Sequence, residues 1–293
     1  MAAGTADLID AVIFRGSRVR AESVAWHYDN VPEVGRFREP AGQLEFERSK
    51  QIISRYLQTT PMKIVDIGAG VGSYSFWLAQ MGHSVTAIEP SEKQLQIMVE
   101  RNNQESRKLV RISNGYASKI ELPDATFDIG LCMGPMYHLC TSQERSDALK
   151  EIKRVLKPEG LLVCAYISRF ASLMDGYFRD FVEDSNFVGL VKVDLQTGVH
   201  DPGENMKYFT KAYLHSVKEI EPELSAAGFE MEHLFAVESF FWCLPSLGRY
   251  LQDPDLRAQL EGFVCTIEED ETLMGSSAHL LSISRARQLK VRP

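Results

Sequence analysis

The chain has 293 residues, a length that fits one large domain or two smaller ones. Its hydrophobic fraction of 44% and charged fraction of 25% are ordinary for a globular protein, which excludes a mainly disordered chain, a collagen-like fibre and a small disulfide scaffold. Acidic residues number 40 and basic residues 32, for a formal charge of -8. This balance argues against nucleic acid as the partner, because proteins that bind duplexes normally carry a basic face.

The cysteines and the apolar segments indicate the cellular compartment of the protein. The five cysteines are odd in number and scattered, with no C-x-x-C pair, which predicts a reducing cytoplasm and no zinc site. The longest apolar runs, such as residues 161–167, are far shorter than the roughly 18 residues that span a bilayer. The N-terminus lacks the basic start and the uninterrupted apolar core of a signal peptide. We therefore expect a cytoplasmic protein without a membrane segment.

Residues 1–60 precede the first predicted strand and form a helical N-terminal extension, with a helix expected near residues 44–57. Up to residue 168 the chain then alternates short β-branched runs with helical patterns, which is typical of a parallel sheet built from βαβ units. Helices are expected from Ser73, after a capping box at Ser91 and after a second one at Thr141. The predicted strands are residues 63–68, 84–89, 109–113, 127–133 and 161–168, with a turn at 157–160.

The alternation ends after residue 168, where two insertions rich in aromatic residues interrupt the pattern, at about 170–215 and 240–275. The insertions leave the sheet at the carboxyl ends of its strands, so we expect them to form an apolar lid there. A further helix and two last strands are predicted at residues 219–227, 229–237 and 279–284. The predicted fold class is α/β: residues 61–293 form a doubly wound, Rossmann-like, seven-stranded and mostly parallel sheet.

The most informative segment is a glycine turn between the first strand and its helix. Residues 65–72 read Val-Asp-Ile-Gly-Ala-Gly-Val-Gly, and such glycines let the backbone approach a ligand beside the free N–H groups of a helix start. The dinucleotide fingerprint would need a glycine where Ser73 stands, so the spacing opposes a nicotinamide oxidoreductase. Glu89 ends the second strand and can accept hydrogen bonds from both hydroxyls of a ribose. The pattern predicts a cofactor that contains a nucleoside.

With two later segments, Leu122–Asp128 and Arg154–Gly160, this pattern resembles the class I S-adenosylmethionine-dependent methyltransferases. The resemblance covers residues 60–168 well and the chain from Glu219 onward more loosely. It implies S-adenosylmethionine as cofactor, S-adenosylhomocysteine as product, and methyl transfer to an O, N or S atom of a small molecule. The alternatives are an RNA (tRNA) methyltransferase, which the net charge disfavours, and a protein that binds S-adenosylmethionine without catalysis.

The resemblance also implies which residues bind the cofactor. The glycine turn would hold the methionine part, braced by Asp66, and Glu89 would bind the ribose. Ala117 would lie beside the adenine, where Tyr116 replaces the acidic residue that many family members carry, so backbone and stacking are expected to hold this base. Met133 and Gly134 would line the floor beside the methionyl group. The implied set is Asp66, Gly68, Ala69, Gly70, Gly72, Glu89, Ala117, Met133, Gly134 and His138.

The acceptor side is predicted from residues that leave the sheet at the same edge. His138 follows the fourth strand and is a candidate general base, because histidine titrates near neutrality; the alternative is that it only positions a loop or the cofactor. Tyr28 belongs to an aromatic segment at residues 26–29 and is a second candidate, for contact with cofactor or acceptor. Tyr213 and His215 could face the acceptor or solvent.

Two further expectations concern charged groups and assembly. Glu45 and Arg48 lie about one helical turn apart and are expected to form a surface pair. We see no spacing typical of metal ligands, so no metal is expected. The chain is predicted to be a monomer or a homodimer.

Overall fold

The computed structural model describes residues 35–203 and 206–287, which form a sheet of nine strands with helices on both faces. The strands are β1 (Lys63–Ile67), β2 (Ser84–Glu89), β3 (Arg111–Asn114), β4 (Phe127–Cys132), β5 (Leu156–Ser168), β6 (Val199–His200), β7 (Ala212–His215), β8 (Phe229–Ala236) and β9 (His279–Ala286). The helices are α1 (Pro40–Ser54), α2 (Ser73–Gln80), α3 (Glu92–Gln104), α4 (Pro135–His138), α5 (Ser142–Val155), α6 (Ala171–Phe178), α7 (Ser185–Thr197), α8 (Val217–Ala226), α9 (Leu247–Gln252) and α10 (Pro254–Ile267).

Seven of these strands form the main sheet, in the order β3, β2, β1, β4, β5, β9 and β8. The first five run parallel, and β9 is antiparallel to both of its neighbours. The predicted seven-stranded, mostly parallel sheet is therefore confirmed. The carboxyl ends of β1, β2, β4, β5 and β8 lie at one edge, called the carboxyl edge below. The short strands β6 and β7 come from the first insertion, and β7 extends the sheet beside the last two residues of β5.

Alternating side chains of the strands build one apolar core on each face of the sheet. On β1, Val65 and Ile67 enter the core beneath α5 and α8, whereas Ile64 enters the core beneath α1, α2 and α3. A strand that is covered on both faces carries apolar side chains on both, which explains the continuous apolar runs in the sequence. Fully burying one such side chain contributes about 1.5–3 kcal/mol, so the two cores fix the strand ends that carry the site.

The predicted turn at residues 157–160 is wrong. These residues lie inside β5, where the pairing with β4 jumps from Phe127 and Leu156 to Ile129 and Leu161. The extra residues form a bulge, with Glu159 at a φ of 62°. Turn-forming residues thus indicate an irregularity that the strand accommodates without ending.

Of the two predicted capping boxes, only that of Thr141 is complete. The Ser91 hydroxyl accepts the backbone N–H of Gln94, but the backbone N–H of Ser91 donates to a carboxylate oxygen of Glu89. The acidic end of β2 therefore replaces the glutamine side chain in the second half of this motif.

The described part of the N-terminal extension contacts the second insertion. The described part of the extension is mainly α1, which packs against α9 and α10 of the second insertion through Leu44, Leu247 and Leu260. The first insertion contributes α6, α7, β6 and β7. Tyr28 and its aromatic segment lie outside the described residues. Within residues 35–203 and 206–287, we find no helix with the length and apolar character needed to cross a membrane.

Candidate active site

The glycine turn joins β1 to α2 through three left-handed backbone conformations. Gly68, Gly70 and Gly72 have φ values of 69°, 58° and 80°, a region that side chains disfavour. A Cβ on Gly68 would lie 2.7 Å from Cγ of Pro135, the first residue of α4. Glycine is therefore required both by the backbone and by the close approach of the segment after β4.

Glu89 joins the turn to the end of β2. Its Oε2 accepts the backbone N–H of Gly70 at 2.8 Å and its Oε1 accepts that of Ser91 at 2.9 Å. The N–H of Ala69 donates to the Ile88 carbonyl at 3.0 Å, which draws the turn toward the same strand. The structure thus brings the glycine turn and Glu89 together. Glu89 is 5% exposed, and its carboxylate lies between the backbone of the turn and the backbone that follows β2.

Asp66 lies beneath the turn and connects β1 to α2. Its Oδ2 accepts the Ser75 hydroxyl at 2.6 Å. Burial raises the pKa of Asp66 to about 6, although hydrogen bonds from the Ser75 hydroxyl and backbone favour the charged form. This geometry is that of a brace, because it fixes the start of α2 relative to the strand that leads into the turn.

The segment after β4 forms the neighbouring wall. Met133 is partly buried against the core beneath α1 to α3, and its carbonyl accepts the Tyr137 hydroxyl at 3.1 Å. A Cβ on Gly134 would lie 3.9 Å from the Gly68 carbonyl oxygen. Both predicted floor residues therefore lie beside the glycine turn.

His138 ends α4, on the side of this segment that meets the first insertion. Its ring centre lies 4.7 Å from that of Tyr137 and 6.4 Å from that of Phe209. The histidine is thus packed between two aromatic rings at the carboxyl edge. This position suits either a base or a positioning residue.

The predicted adenine side lies beyond β3. Ala117 is buried in the core that contains Ile88, and Tyr116 forms an isolated β-bridge with Lys119. The N–H of Gly115 bonds to the Glu89 carbonyl at 3.4 Å, so this loop adjoins the end of β2. The loop is close enough to the strand end to contact the same ligand as Glu89.

The predicted surface pair of Glu45 and Arg48 is wrong. Both residues are buried, and Arg48 is 0% exposed because the second insertion covers α1. The Arg48 guanidinium pairs with Glu268 and donates to Sγ of Cys265 at 2.9 Å. The guanidinium also donates to Gln51 one helical turn away, but its charged partner is 220 residues away in the chain, where helix spacing gives no signal.

His215 faces neither acceptor nor solvent. It is fully buried, and Nε2 lies 3.2 Å from a carboxylate oxygen of Glu223 on α8. Burial lowers the pKa of His215, with the Glu223 carboxylate acting in the opposite direction. The Arg145 guanidinium carbon lies over the Tyr213 ring, 3.8 Å from the ring centre. Both residues are held by the addition of β7 to the sheet, which the sequence pattern did not indicate.

Three titratable side chains that no spacing predicted meet elsewhere at the carboxyl edge. They are Glu45 on α1, Glu238 two residues after the end of β8 and His279 at the start of β9, and one nitrogen or oxygen atom of each lies within 4.8 Å of the others. The sequence offered no signal for this cluster, since its members come from three distant segments.

Comparison with known proteins gives one family and several relatives. A family model described as a methyltransferase domain matches residues 65–164. The methyltransferase GfsG of Streptomyces halstedii is 29% identical over 144 residues, 48% of this chain and 50% of that protein. A demethylmenaquinone methyltransferase of Lactococcus lactis is 30% identical over 145 residues, 48% of this chain and 54% of that protein. The chain thus spans about half the length of these curated relatives.

A solved structure extends the likeness beyond the matched segment. An S-adenosylmethionine-dependent methyltransferase from Methanosarcina mazei superposes with a TM-score of 0.56 at 18% identity, over 81% of this chain and 98% of that one. The strand order, the glycine turn and Glu89 define a Rossmann-like domain for a cofactor that contains a nucleoside. The matched family model gives the particular class: residues 65–164 match a methyltransferase domain, and the fold around them is that of an S-adenosylmethionine-dependent methyltransferase.

Proposed function

We propose that this protein is an enzyme that transfers a methyl group from S-adenosylmethionine to an O, N or S atom of a small molecule in the cytoplasm. The observation that carries this proposal is the pair of hydrogen bonds by which Glu89 joins the Gly70 turn to the end of β2. These two hydrogen bonds place the Glu89 carboxylate beside glycine backbone that carries no side chains. The matched methyltransferase domain, residues 65–164, includes all of these groups.

The residues at this edge fit the cofactor. Three glycines expose backbone to the methionine part, with Asp66 beneath them, and the carboxylate oxygens of Glu89 are suited to accept ribose hydroxyls. Ala117 would adjoin the adenine, and Met133 with Gly134 would line the methionyl end. When bound, S-adenosylmethionine supplies an activated methyl group, so the protein itself must align the acceptor, exclude water and remove a proton where the acceptor carries one.

An apolar acceptor is supported by the exposed rings of the two insertions. Six large aromatic side chains of these insertions are at least 42% exposed, which suits apolar contact. They are Phe170, Tyr177, Phe178, Phe209, Phe240 and Phe263. The net charge of -8 makes RNA the weaker alternative.

His138 and Tyr28 remain proposed contacts on the acceptor side. The contacts of His138 with Tyr137 and Phe209 support a role in shaping the edge. His138 also remains a candidate general base. The protein is proposed to act as a monomer or homodimer.

Two measurements test the function. Calorimetric titration is expected to find one S-adenosylmethionine site per chain and no NAD binding. A screen of phenols, amines, thiols and carboxylates, followed by detection of released S-adenosylhomocysteine, is expected to find turnover of an apolar acceptor. Cofactor binding without any turnover would favour a non-catalytic binding protein, and a salt-sensitive gel shift with tRNA would favour the RNA alternative.

A further inference from the structure

The cluster of Glu45, Glu238 and His279 lies at the edge where the proposed reaction takes place. His279 is the first residue of β9, in register with Ile167 near the end of β5. Both carboxylates are buried, with Glu238 only 1% exposed, whereas the His279 side chain is 19% exposed. A partly exposed imidazole backed by buried carboxylates is therefore part of the carboxyl edge.

The hydrogen bonds determine which ring nitrogen holds the proton. Oε1 of Glu238 lies 2.6 Å from Nδ1 of His279, and Oε2 accepts the Ser277 hydroxyl at 2.7 Å and the backbone N–H of His279 at 3.1 Å. An ionised carboxylate can only accept hydrogen bonds, so Nδ1 is the donor. In the neutral ring the basic lone pair is then on Nε2. Glu45 places Oε2 3.8 Å from Nδ1.

This geometry suits a shared proton better than a metal ion. Two ligand atoms at about 2.1 Å from a tetrahedral ion would lie about 3.4 Å apart. The 2.6 Å between Nδ1 of His279 and Oε1 of Glu238 is instead a hydrogen-bond distance. A carboxylate on Nδ1 also fixes the orientation of the ring, as it does in other enzymes that use histidine as a base.

An apolar cluster connects this histidine to the segment after β4. Ala278, the residue before His279, belongs to the same buried group as Tyr137, Ile167 and Trp242. β5 lies between β4 and β9, and two strand spacings amount to about 10 Å. A small molecule held beside the β4 segment can therefore reach the imidazole.

We propose that His279, positioned by Glu238, is the base that removes the proton of the methyl acceptor. This inference rests on the proposed methyl transfer. The acceptor atom forms its bond to the methyl carbon as the bond from that carbon to sulfur breaks, leaving a neutral thioether, and the acceptor proton passes to Nε2. The imidazolium formed lies near two carboxylates, Glu238 and Glu45. General-base catalysis of this kind contributes about 10²–10⁴-fold.

The kinetic test compares three histidines with the acceptor that the wild-type enzyme converts fastest in the screen. His279→Gln is expected to lower kcat about 10²–10⁴-fold while calorimetric affinity for S-adenosylmethionine changes less than about twofold. His233→Gln is the matched control, because His233 makes the same Nδ1 contact, to Glu269 at 2.7 Å, but is exposed on β8. Retention of kcat by a folded His279→Gln variant, or the same loss only in His138→Gln, would overturn the proposal.

A second readout does not depend on the acceptor. Nitrogen-15 NMR of the S-adenosylhomocysteine complex is expected to show His279 with its proton on Nδ1, assigned by the signal missing from His279→Gln. Glu238→Gln removes the charge and is expected to shift that signal and to lower kcat. A proton on Nε2 of the neutral ring would overturn the base role.

The remaining outcomes separate the inference from the function on which it rests. Calorimetric binding of Zn²⁺ that is lost in His279→Gln, together with metal-dependent turnover, would replace the base by a metal site. Cofactor binding without turnover of any acceptor by the wild type would end the proposed function and this inference with it. Wild-type turnover that His279→Gln leaves unchanged would end the inference alone.

Discussion

Both carboxylate oxygens of Glu89 bond to backbone N–H groups, on Gly70 and on Ser91. Each oxygen has two lone pairs, so ribose hydroxyls can be accepted without loss of the bonds that shape the turn. At the scale of one residue, the same carboxylate would therefore both build the site and bind the ligand.

We expect Glu89→Gln to weaken S-adenosylmethionine binding by about 1–3 kcal/mol, because the amide offers a donor where two acceptors are needed. Calorimetry measures the affinity. Glu92→Gln changes an exposed carboxylate three residues away and should bind normally. Equal affinities for wild type and Glu89→Gln would remove this residue from the ribose site.

Asp66 should make stability depend on pH. Its folded-state pKa of about 6 exceeds the unfolded value of 3.8, so the folded protein holds the proton more tightly. Stability from this group is therefore fully present below pH 3.8 and is lost as the pH rises to about 6, by up to about 3 kcal/mol. Urea unfolding of wild type and Asp66→Asn at several pH values should show this loss only in the wild type. The same dependence of unfolding free energy on pH in both proteins would contradict this prediction.

At the scale of elements, the site depends on how closely the turn after β1 approaches α4. A Cβ added to Gly68 would come within 2.7 Å of Pro135, which leaves no room for any side chain. The turn and α4 are therefore in close contact, and the predicted methionine and acceptor sides share one wall.

Gly68→Ala is expected to lower S-adenosylmethionine affinity at least about tenfold, since the methyl group must displace α4 and the φ of 69° adds strain. Gly262→Ala is the matched control: a Cβ there meets nothing within 4 Å, and alanine in α10 should stabilise the protein by about 0.5–1 kcal/mol. Normal calorimetric affinity in a folded Gly68→Ala protein would contradict the role of this contact.

The elements that the sequence predicted well are those specified by local patterns. β2 has its predicted bounds, and β1 and β4 end one residue early, because apolar runs mark buried strands. The glycine turn and Glu89 were found through spacing. Glu238 and His279 were missed because tertiary packing alone brings them together. The bulge in β5 was missed because residues suited to a turn also suit an extra loop within a strand.

At the scale of the whole molecule, a buried ion pair attaches the N-terminal extension to the second insertion. Glu268, at the end of α10, pairs with Arg48 and Arg55 of the segment that contains α1. Arg48 has no exposed surface, so its charge depends on this partner.

Glu268→Ala is expected to destabilise the protein by about 3–5 kcal/mol, because it leaves the Arg48 charge buried without its carboxylate. The double variant Arg48→Met, Glu268→Leu should recover most of that loss. Glu232→Ala removes an exposed partner of Arg285 and should cost at most about 1 kcal/mol. Urea unfolding compares the four proteins, and equal losses for the single and double variants would contradict the charge argument.

The position of β9 in the sheet also determines the order in which the strands can assemble during synthesis. This strand fills the place between β5 and β8, and within the described chain β8 pairs with β9 alone. During synthesis, β1 to β5 leave the ribosome long before residue 286 does, so the nascent sheet keeps an uncovered edge at β5 until the chain is nearly through this point. The strand that completes the sheet also begins with His279, so structural completion and the arrival of the proposed base are one event.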